Sequence, residues 1–186
     1  MDDIVKQAMI KWPNVPDCYG WLGLDARGRW FIRDEATQAS GGFPAHKGSE
    51  LRHEKLLDFV ARNYESDAKG LWFFQNGPQR VYVELECTPW IWRMDPDGSI
   101  HSHTGEKVTA LRCLVDEAGK VYLLTELGFG LVCSQDVGIA ALQIESGRWT
   151  PESVVAHALE SIFGFVRSPQ ERQQGAKHQN TLAQGA

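Results

Sequence analysis

The chain has 186 residues, of which 42% are hydrophobic and 23% are charged. With 19 Lys and Arg against 24 Asp and Glu, its formal net charge is −5. This composition is typical of a folded globular protein and excludes a disordered, collagen-like or coiled-coil chain. The negative charge and the scattered basic residues predict no nucleic-acid partner, because such binding needs a basic surface.

The first residues and the cysteines predict a cytoplasmic protein. Met1-Asp2-Asp3 lacks the basic region of a secretory signal, and no stretch approaches the roughly 20 apolar residues that span a bilayer. The cysteines are widely spaced, which leaves no C-x-x-C unit for zinc or redox chemistry. We therefore predict no membrane partner, no metal and no cofactor. The cysteines are Cys18, Cys87, Cys113 and Cys133.

In chain order, the first predicted element is a helix. Apolar residues recur at helical spacing between Ile4 and Trp12, and Pro13 ends the pattern. The same spacing predicts helices over residues 50–64 and 151–163, and a shorter one near residues 135–142.

A four-residue turn recurs between the predicted strands. Asp at its first position and Gly at its fourth predict a type I turn, in which the Asp side chain caps the backbone and Gly takes a left-handed conformation. Three of these turns join two strand-like runs, and the second follows the predicted helix of residues 50–64. Asn76-Gly77 predicts a further hairpin. The four turns begin at Asp25, Asp67, Asp95 and Asp116.

The strands between these turns predict an α+β fold. We expect antiparallel β-meanders in two adjoining lobes, each packed with helix. The first lobe covers residues 1–104 and the second residues 105–166, and the recurring turn favours a repeat relation between them. Residues 167–186 are polar and Gln-rich, which predicts a disordered tail.

The segment around the Asn76-Gly77 turn is the predicted ligand site. It concentrates amide groups and a guanidinium between two strands, with aromatic residues on neighbouring positions. Such a set suits a small polar or anionic ligand, or a peptide. The alternatives are a turn whose polar groups satisfy their own backbone, and a core position for the tryptophan. The predicted ligand-binding residues are Asn76, Gln79, Arg80, Tyr82 and Trp90.

Two histidines form a candidate metal pair. His101 and His103 lie two apart on one predicted strand, and Glu84 or Glu86 could add a carboxylate. Two exposed histidines near a hairpin are the favoured alternative.

A glycine pair imitates the start of a dinucleotide fingerprint. Gly128-Phe129-Gly130 follows a predicted strand, but Cys133 stands where the third glycine belongs. No βαβ unit surrounds the motif, so glycines in a meander strand explain it better.

Five segments of the chain are distinctive: WPNVP at 12–16, YGWL at 19–22, FFQNGPQRVYV at 73–83, TPW at 88–90 and TELG at 125–128. Together they resemble a family of uncharacterised bacterial proteins, a domain of unknown function. The likeness covers residues 10 to about 166, and because the family has no established activity it implies no catalytic residue. The order of turn, aromatic strand and second hairpin is similar to another uncharacterised bacterial family, with repeated α+β motifs and a suggested role in signalling or ligand binding.

The sequence thus predicts a non-enzymatic cytoplasmic module that binds a ligand or a protein partner, with signalling as one role. A small metal-dependent or hydrolase-like enzyme that uses His101, His103 and either Glu84 or Glu86 is the first alternative. The second is an oligomeric scaffold, such as a homodimer, that uses exposed aromatic residues as its interface.

Overall fold

The computed structural model describes residues 2–184, and for residues 177–184 it describes the backbone alone. The helices of this part are α1 (Asp3–Lys11), α2 (Glu35–Ser40), α3 (Glu54–Arg62), α4 (Val137–Glu145), α5 (Leu159–Phe163) and α6 (Pro169–Gln184). A 3₁₀ turn, Ala156–Ala158, precedes α5. No helix in residues 2–184 is long and apolar enough to cross a membrane.

The strands are β1 (Cys18–Leu24), β2 (Trp30–Ile32), β3 (Ser49–Glu50), β4 (Tyr64–Ser66), β5 (Trp72–Asn76), β6 (Gln79–Leu85), β7 (Trp90–Met94), β8 (Ile100–Ser102), β9 (Lys107–Val108), β10 (Ala110–Val115), β11 (Val121–Thr125), β12 (Gly128–Val132) and β13 (Pro151–Ser153).

These strands form two sheets. The first has the order β3-β2-β1-β6-β5-β4, and the second has the order β13-β10-β11-β12-β7-β8-β9. Each sheet therefore contains two three-stranded meanders side by side, which confirms the predicted α+β fold. The second sheet is not purely antiparallel, because β7 runs parallel to β12 and β10 runs parallel to β13. These pairs join strands that are distant in sequence, so no hairpin fixes their relative direction.

The predicted turns are confirmed. In all four, the Asp carbonyl accepts a hydrogen bond from the Gly N–H, at 2.8–3.1 Å, and the glycine φ lies between 76° and 87°. In three, the Asp Oδ1 also accepts from the N–H groups two and four residues on, at 2.8–3.0 Å. The exception is Asp95, whose carboxylate lies 3.0 Å from His101 Nε2.

The predicted boundary between residues 104 and 105 falls inside a fifth turn of this kind. Ser102 stands in place of Asp, and its Oγ accepts hydrogen bonds from the N–H groups of Thr104 and Glu106. This turn joins β8 to β9 within the second sheet, so no boundary between compact units lies there.

The compact units divide elsewhere along the chain. The first unit contains the described residues up to Gly23, Trp30–Leu85 and those from Val166 onward. The second unit contains Leu24–Arg29 and Glu86–Phe165. β7 and β8, predicted in the N-terminal lobe, therefore belong to the second unit, because they pair within its sheet.

Two predicted helices are shorter than expected. α3 begins only at Glu54, because Ser49–Glu50 pairs with Phe31–Ile32 as β3. Pro151–Ser153 pairs with β10 as β13, so the helix predicted from residue 151 is limited to α5. An apolar stripe in the sequence does not show that the backbone of the same residues pairs with a neighbouring strand and does not form a helix.

The predicted disordered tail is largely helical, since α6 covers Pro169–Gln184; residues 185 and 186 lie outside the described residues. A carboxylate of β6 holds the start of this helix. Glu84 accepts hydrogen bonds from the Ser168 Oγ at 2.6 Å and from the Gln170 N–H at 3.0 Å. The segment Ser168-Pro169-Gln170-Glu171 has the spacing of a capping box with Pro at the first helical position, a signal visible in the sequence.

Each unit has its own core. In the first unit, Leu71, Phe73, Tyr82 and Val166 form a buried cluster. In the second unit, the Trp92 side chain is fully buried, and its Nε1 donates a hydrogen bond to the Leu123 carbonyl at 3.1 Å.

Candidate functional site: a polar pocket in the first unit

Two of the predicted ligand residues lie in an aromatic cluster on the first sheet. The Arg80 guanidinium lies 4.7 Å from the Phe73 ring centroid, and a hydrogen bond to Tyr82 is the main cause that raises the pKa of Arg80. The Tyr82 ring is buried and stacks on Tyr19 with centroids 4.5 Å apart. Its hydroxyl donates to Asp67 Oδ2 at 3.2 Å. Arg80 is therefore packed against this cluster on one side and remains half-buried.

The other three predicted residues have separate surroundings. Asn76 is exposed at the β5–β6 turn, and the Gln79 Nε2 donates to the Pro16 carbonyl at 2.9 Å. Trp90 is buried in the second unit, where its ring stacks on Trp92 with centroids 5.9 Å apart. The structure therefore gives Trp90 a core position, whereas ligand binding by the four residues of β5 and β6 stays a prediction.

A polar pocket with a volume of about 210 Å³ lies elsewhere in the first unit, between the segment after α2 and the start of α6. Its wall combines amide groups, carboxylates and one aromatic ring. Among its lining residues are Gln38, Gly42, Phe43, Glu84, Gln170 and Glu171.

Glu84 is the buried carboxylate of this pocket, with 2% of its surface exposed. Burial raises the pKa of Glu84 above its ordinary value of 4.5, because the charged form loses its water. The hydrogen bonds from Ser168 and Gln170 and the positive charge of Arg33 act in the opposite direction. The site therefore holds a carboxylate that protonates more readily than an exposed one.

Arg33 fixes the wall of the pocket from behind. Its side chain is fully buried, and its guanidinium donates to three backbone carbonyls: His46 and Gly20, each at 3.0 Å, and Gly41. Burial lowers the pKa of Arg33, and the charge of Glu84 opposes that shift. The guanidinium thereby ties the segment after α2 to β1.

Two amide side chains complete the wall. The Gln170 Nε2 donates to the Gln38 Oε1 at 3.3 Å, and the Gln38 Nε2 donates to the Arg33 carbonyl at 3.1 Å. This pair needs Gly20 beneath it, where φ is +80° and an added Cβ would lie 2.6 Å from the Gln170 Nε2. Any larger residue at position 20 would therefore displace the amides.

We expect Glu84→Gln to remove a pH-dependent part of the stability. Because the folded-state pKa is raised, the folded chain keeps a proton that the unfolded chain releases as the pH rises above 4.5. The contribution of Glu84 is therefore greatest below pH 4.5 and falls as the pH rises to the raised pKa. Urea unfolding measured across this range should show the wild type losing stability relative to Glu84→Gln.

The matched control is Glu145→Gln, an exposed position at the end of α4. It should keep the wild-type pH profile. A wild type that gains stability relative to Glu84→Gln over the same interval would contradict the burial of this carboxylate.

The histidine pair does not form a shared site. His101 pairs with Asp95, whereas His103 is half-buried with its Nε2 shielded from solvent. The His103 Nδ1 accepts the Ile91 N–H at 3.3 Å, and desolvation of the ring lowers its pKa to about 3. Of the two carboxylates proposed to join them, Glu84 belongs to the first unit, whereas Glu86 belongs to the second unit with both histidines, and its Oε2 accepts the Ala26 N–H at 3.2 Å. Within the described residues, no group of three or more His, Cys, Asp or Glu side chains is arranged to hold a metal ion.

The sequence patterns predict Glu84 only as a metal-binding or catalytic carboxylate, and they do not predict Gln38, Gln170 or Arg33 as part of a site. The capping-box spacing at Ser168 is a local signal for the start of α6. No local pattern marks Gln38 or Arg33, because their partners are distant in the sequence.

The fold and the pocket define an α+β protein of two sheet units with a polar pocket in the first. A family model described as "Protein of unknown function (DUF2946)" matches residues 1–170, and the chain belongs to that family. This confirms the resemblance to a domain of unknown function. No curated protein matches the chain.

Two solved structures are similar to the chain. One is a DUF1285 family protein from Shewanella baltica OS155, with 16% identity and a TM-score of 0.46, covering 67% of this chain and 92% of that one. The other is a DUF1285 family protein from Silicibacter pomeroyi DSS-3, with 12% identity and a TM-score of 0.46, covering 68% of this chain and 71% of that one.

Proposed function

We propose that the chain is a non-enzymatic binding module that takes a small polar ligand in the pocket beside Glu84. The observation that carries the proposal is a buried carboxylate, Glu84, that lines an open pocket whose wall is held from behind by the fully buried guanidinium of Arg33. Burying two charged groups costs more free energy than an apolar pair of the same size, so such a pair is a weak device for stability alone. Because the buried carboxylate of Glu84 lies at a concave polar surface, we favour a role in binding.

The contacts of Ser168 support binding over catalysis. Among the side chains that line the pocket, the Ser168 hydroxyl is the group that could act as a nucleophile, and it donates a hydrogen bond to Glu84 at 2.6 Å. The same oxygen accepts the Glu171 N–H at 3.2 Å, which caps α6. The Ser168 oxygen is therefore committed to the helix start.

The proposal includes a cytoplasmic location. The four cysteines are all among the described residues, and they form no disulfide. Cys113 and Cys133 are buried, as small apolar residues are in proteins from a reducing compartment.

We also propose that the two units repeat one six-stranded motif. The orders β3-β2-β1-β6-β5-β4 and β9-β8-β7-β12-β11-β10 are the same when each unit is counted from its first strand. Arg33 lies eight residues after the turn residue Asp25, and its N–H donates to the Trp21 carbonyl. His103 lies eight residues after the turn residue Asp95, and its N–H donates to the Ile91 carbonyl. The proposed pocket would then be a feature of the first copy, where a guanidinium stands in place of the imidazole.

Blocking the pocket tests the proposed function. In a library of small polar compounds screened by ¹H–¹⁵N NMR, binders should shift the side-chain amide signals of Gln38 and Gln170. Gly42→Leu should weaken the same binders by at least about tenfold, because Gly42 lines the pocket and has no neighbour within 4 Å of an added Cβ.

Gly138→Leu is the matched control, because Gly138 also has open space at its Cβ and lies in α4 of the second unit. It should leave binding unchanged. A library that shifts neither amide signal, or binders that Gly42→Leu does not weaken, would overturn the proposal.

A further inference from the structure

We infer that the pocket selects a small organic cation that carries N–H donors, such as an alkylammonium or an alkylguanidinium. This rests on the proposed function, since it names the ligand class of the same pocket. The inference comes from the hydrogen-bonding groups of the wall: the donors at the start of α6 are already in use, each side-chain amide nitrogen has a partner, and several acceptors have capacity left.

The donors at the start of α6 already have acceptors. The Ser168 Oγ and the Gln170 N–H donate to the two oxygens of Glu84, and the Glu171 N–H donates to the Ser168 Oγ. A free helix N-terminus would attract an anion through such N–H groups. Here Glu84 occupies that position, so the helix start offers an anionic ligand little.

The side-chain amides direct their nitrogens into the wall. The Gln38 Nε2 is bonded to the Arg33 carbonyl, and the Gln170 Nε2 is bonded to the Gln38 Oε1. The Gly41 N–H also donates internally, to the Gln38 carbonyl at 3.3 Å. Each of these donor groups therefore has at least one partner within the protein.

The acceptors have capacity to spare. Among the described residues, the Gln170 Oε1 and the Glu171 carboxylate accept no hydrogen bond, and Glu171 is exposed. A carboxylate offers about four lone-pair sites, so each Glu84 oxygen can accept another donor beyond its present one. A ligand that donates several N–H bonds therefore fits this wall better than one that accepts them.

The charges favour the same class. Two carboxylates line the pocket, those of Glu84 and Glu171, whereas the Arg33 guanidinium lies behind the wall on three carbonyls. The positive charge of Arg33 offsets the negative charge of Glu84, so the charge of Glu171 is available to attract a ligand. The Phe43 ring lines the pocket too, and an aromatic face attracts a cation. N–H donors that carry a positive charge form the stronger hydrogen bonds to carboxylates.

Calorimetric titration with four probes of matched length tests the inference: 1-butylammonium, butylguanidinium, butyrate and 1-butanol, at one ionic strength and pH 7. The two cations should bind, and butyrate and butanol should give no saturable heat. Glu171→Gln should weaken both cations by about five- to tenfold, because it removes one charge-assisted acceptor. Glu145→Gln removes an exposed carboxylate outside the pocket and should leave the affinity unchanged.

The outcomes separate this inference from the proposed function. Saturable binding of butyrate without the cations would overturn the cation class, while Gly42→Leu would show whether the pocket is still the site. If none of the four probes bound, the cation class would be overturned. The proposed function would then be tested separately, by the library screen. Equal weakening by Glu171→Gln and Glu145→Gln would place the cations outside the pocket and overturn the inference as well.

Discussion

Arg33→Met is expected to destabilise the first unit by at least about 3 kcal/mol, because each buried carbonyl left without its donor costs about 1–3 kcal/mol. Methionine fills a similar volume, but it leaves the carbonyls of Gly20, Gly41 and His46 without their donor. It also leaves Glu84 without a compensating positive charge. Urea unfolding followed by circular dichroism would measure the loss.

The double variant Arg33→Met/Glu84→Gln sharpens this prediction. Removing both charges takes away the cost of the lone carboxylate, so the double variant should be more stable than the sum of the two single effects predicts. Arg27→Met is the control, because Arg27 is exposed on the first turn and should not change the midpoint measurably. An Arg33→Met protein that unfolds at the wild-type urea concentration would show that the guanidinium does not hold the pocket wall.

Gly130→Ala is expected to destabilise the second unit by about 1–3 kcal/mol, the usual cost of overpacking a filled core. A Cβ at this position would lie 2.5 Å from the Trp90 carbonyl oxygen and 2.6 Å from the Trp92 Nε1. Neither neighbour can yield, since one is backbone in the paired strand β7 and the other is a buried ring bonded to the Leu123 carbonyl. Thermal and urea unfolding would both report the change.

Gly138→Ala provides the opposite control. Gly138 is the second residue of α4, and apart from its chain neighbours and the helix backbone no atom lies within 4 Å of an added Cβ, so alanine should stabilise the protein by about 0.5–1 kcal/mol. Two substitutions of the same chemistry should therefore shift the unfolding midpoint in opposite directions. If Gly130→Ala also stabilised the chain, the packing of β12 against the two tryptophans would be disproved.

This packing also explains the glycine pair that imitates a dinucleotide fingerprint. Gly130 makes room for Trp90 and Trp92 on the neighbouring parallel strand, and Gly128 adopts a φ of 130° at the start of β12. The motif is therefore a consequence of two large rings in β7. Both glycines lie within β12, which pairs antiparallel with β11 in a meander, and α4 begins only at Val137, so the glycines do not form a turn that opens a helix.

The predicted ligand residues show what a local sequence pattern can and cannot predict. The hairpin at Asn76-Gly77 forms as predicted, so the neighbours of Arg80 along its own strand could be foreseen. The structure gives Trp90 a core position, because β7 pairs with β12 and the tryptophan ring stacks on Trp92 within the second sheet. Alternation along a strand tells which residues share a face, but it does not tell which strands become neighbours.

The turns of this protein follow from short stretches of its sequence. An Asp side chain and a Gly three residues later specify the turn through bonds within five residues, so Asp25, Asp67 and Asp116 make the same contacts in different surroundings. The pocket, in contrast, forms only in the tertiary structure, because Gln38, Glu84 and Gln170 come from three distant parts of the chain. Their interaction depends on long-range pairing, which no local preference of the backbone encodes.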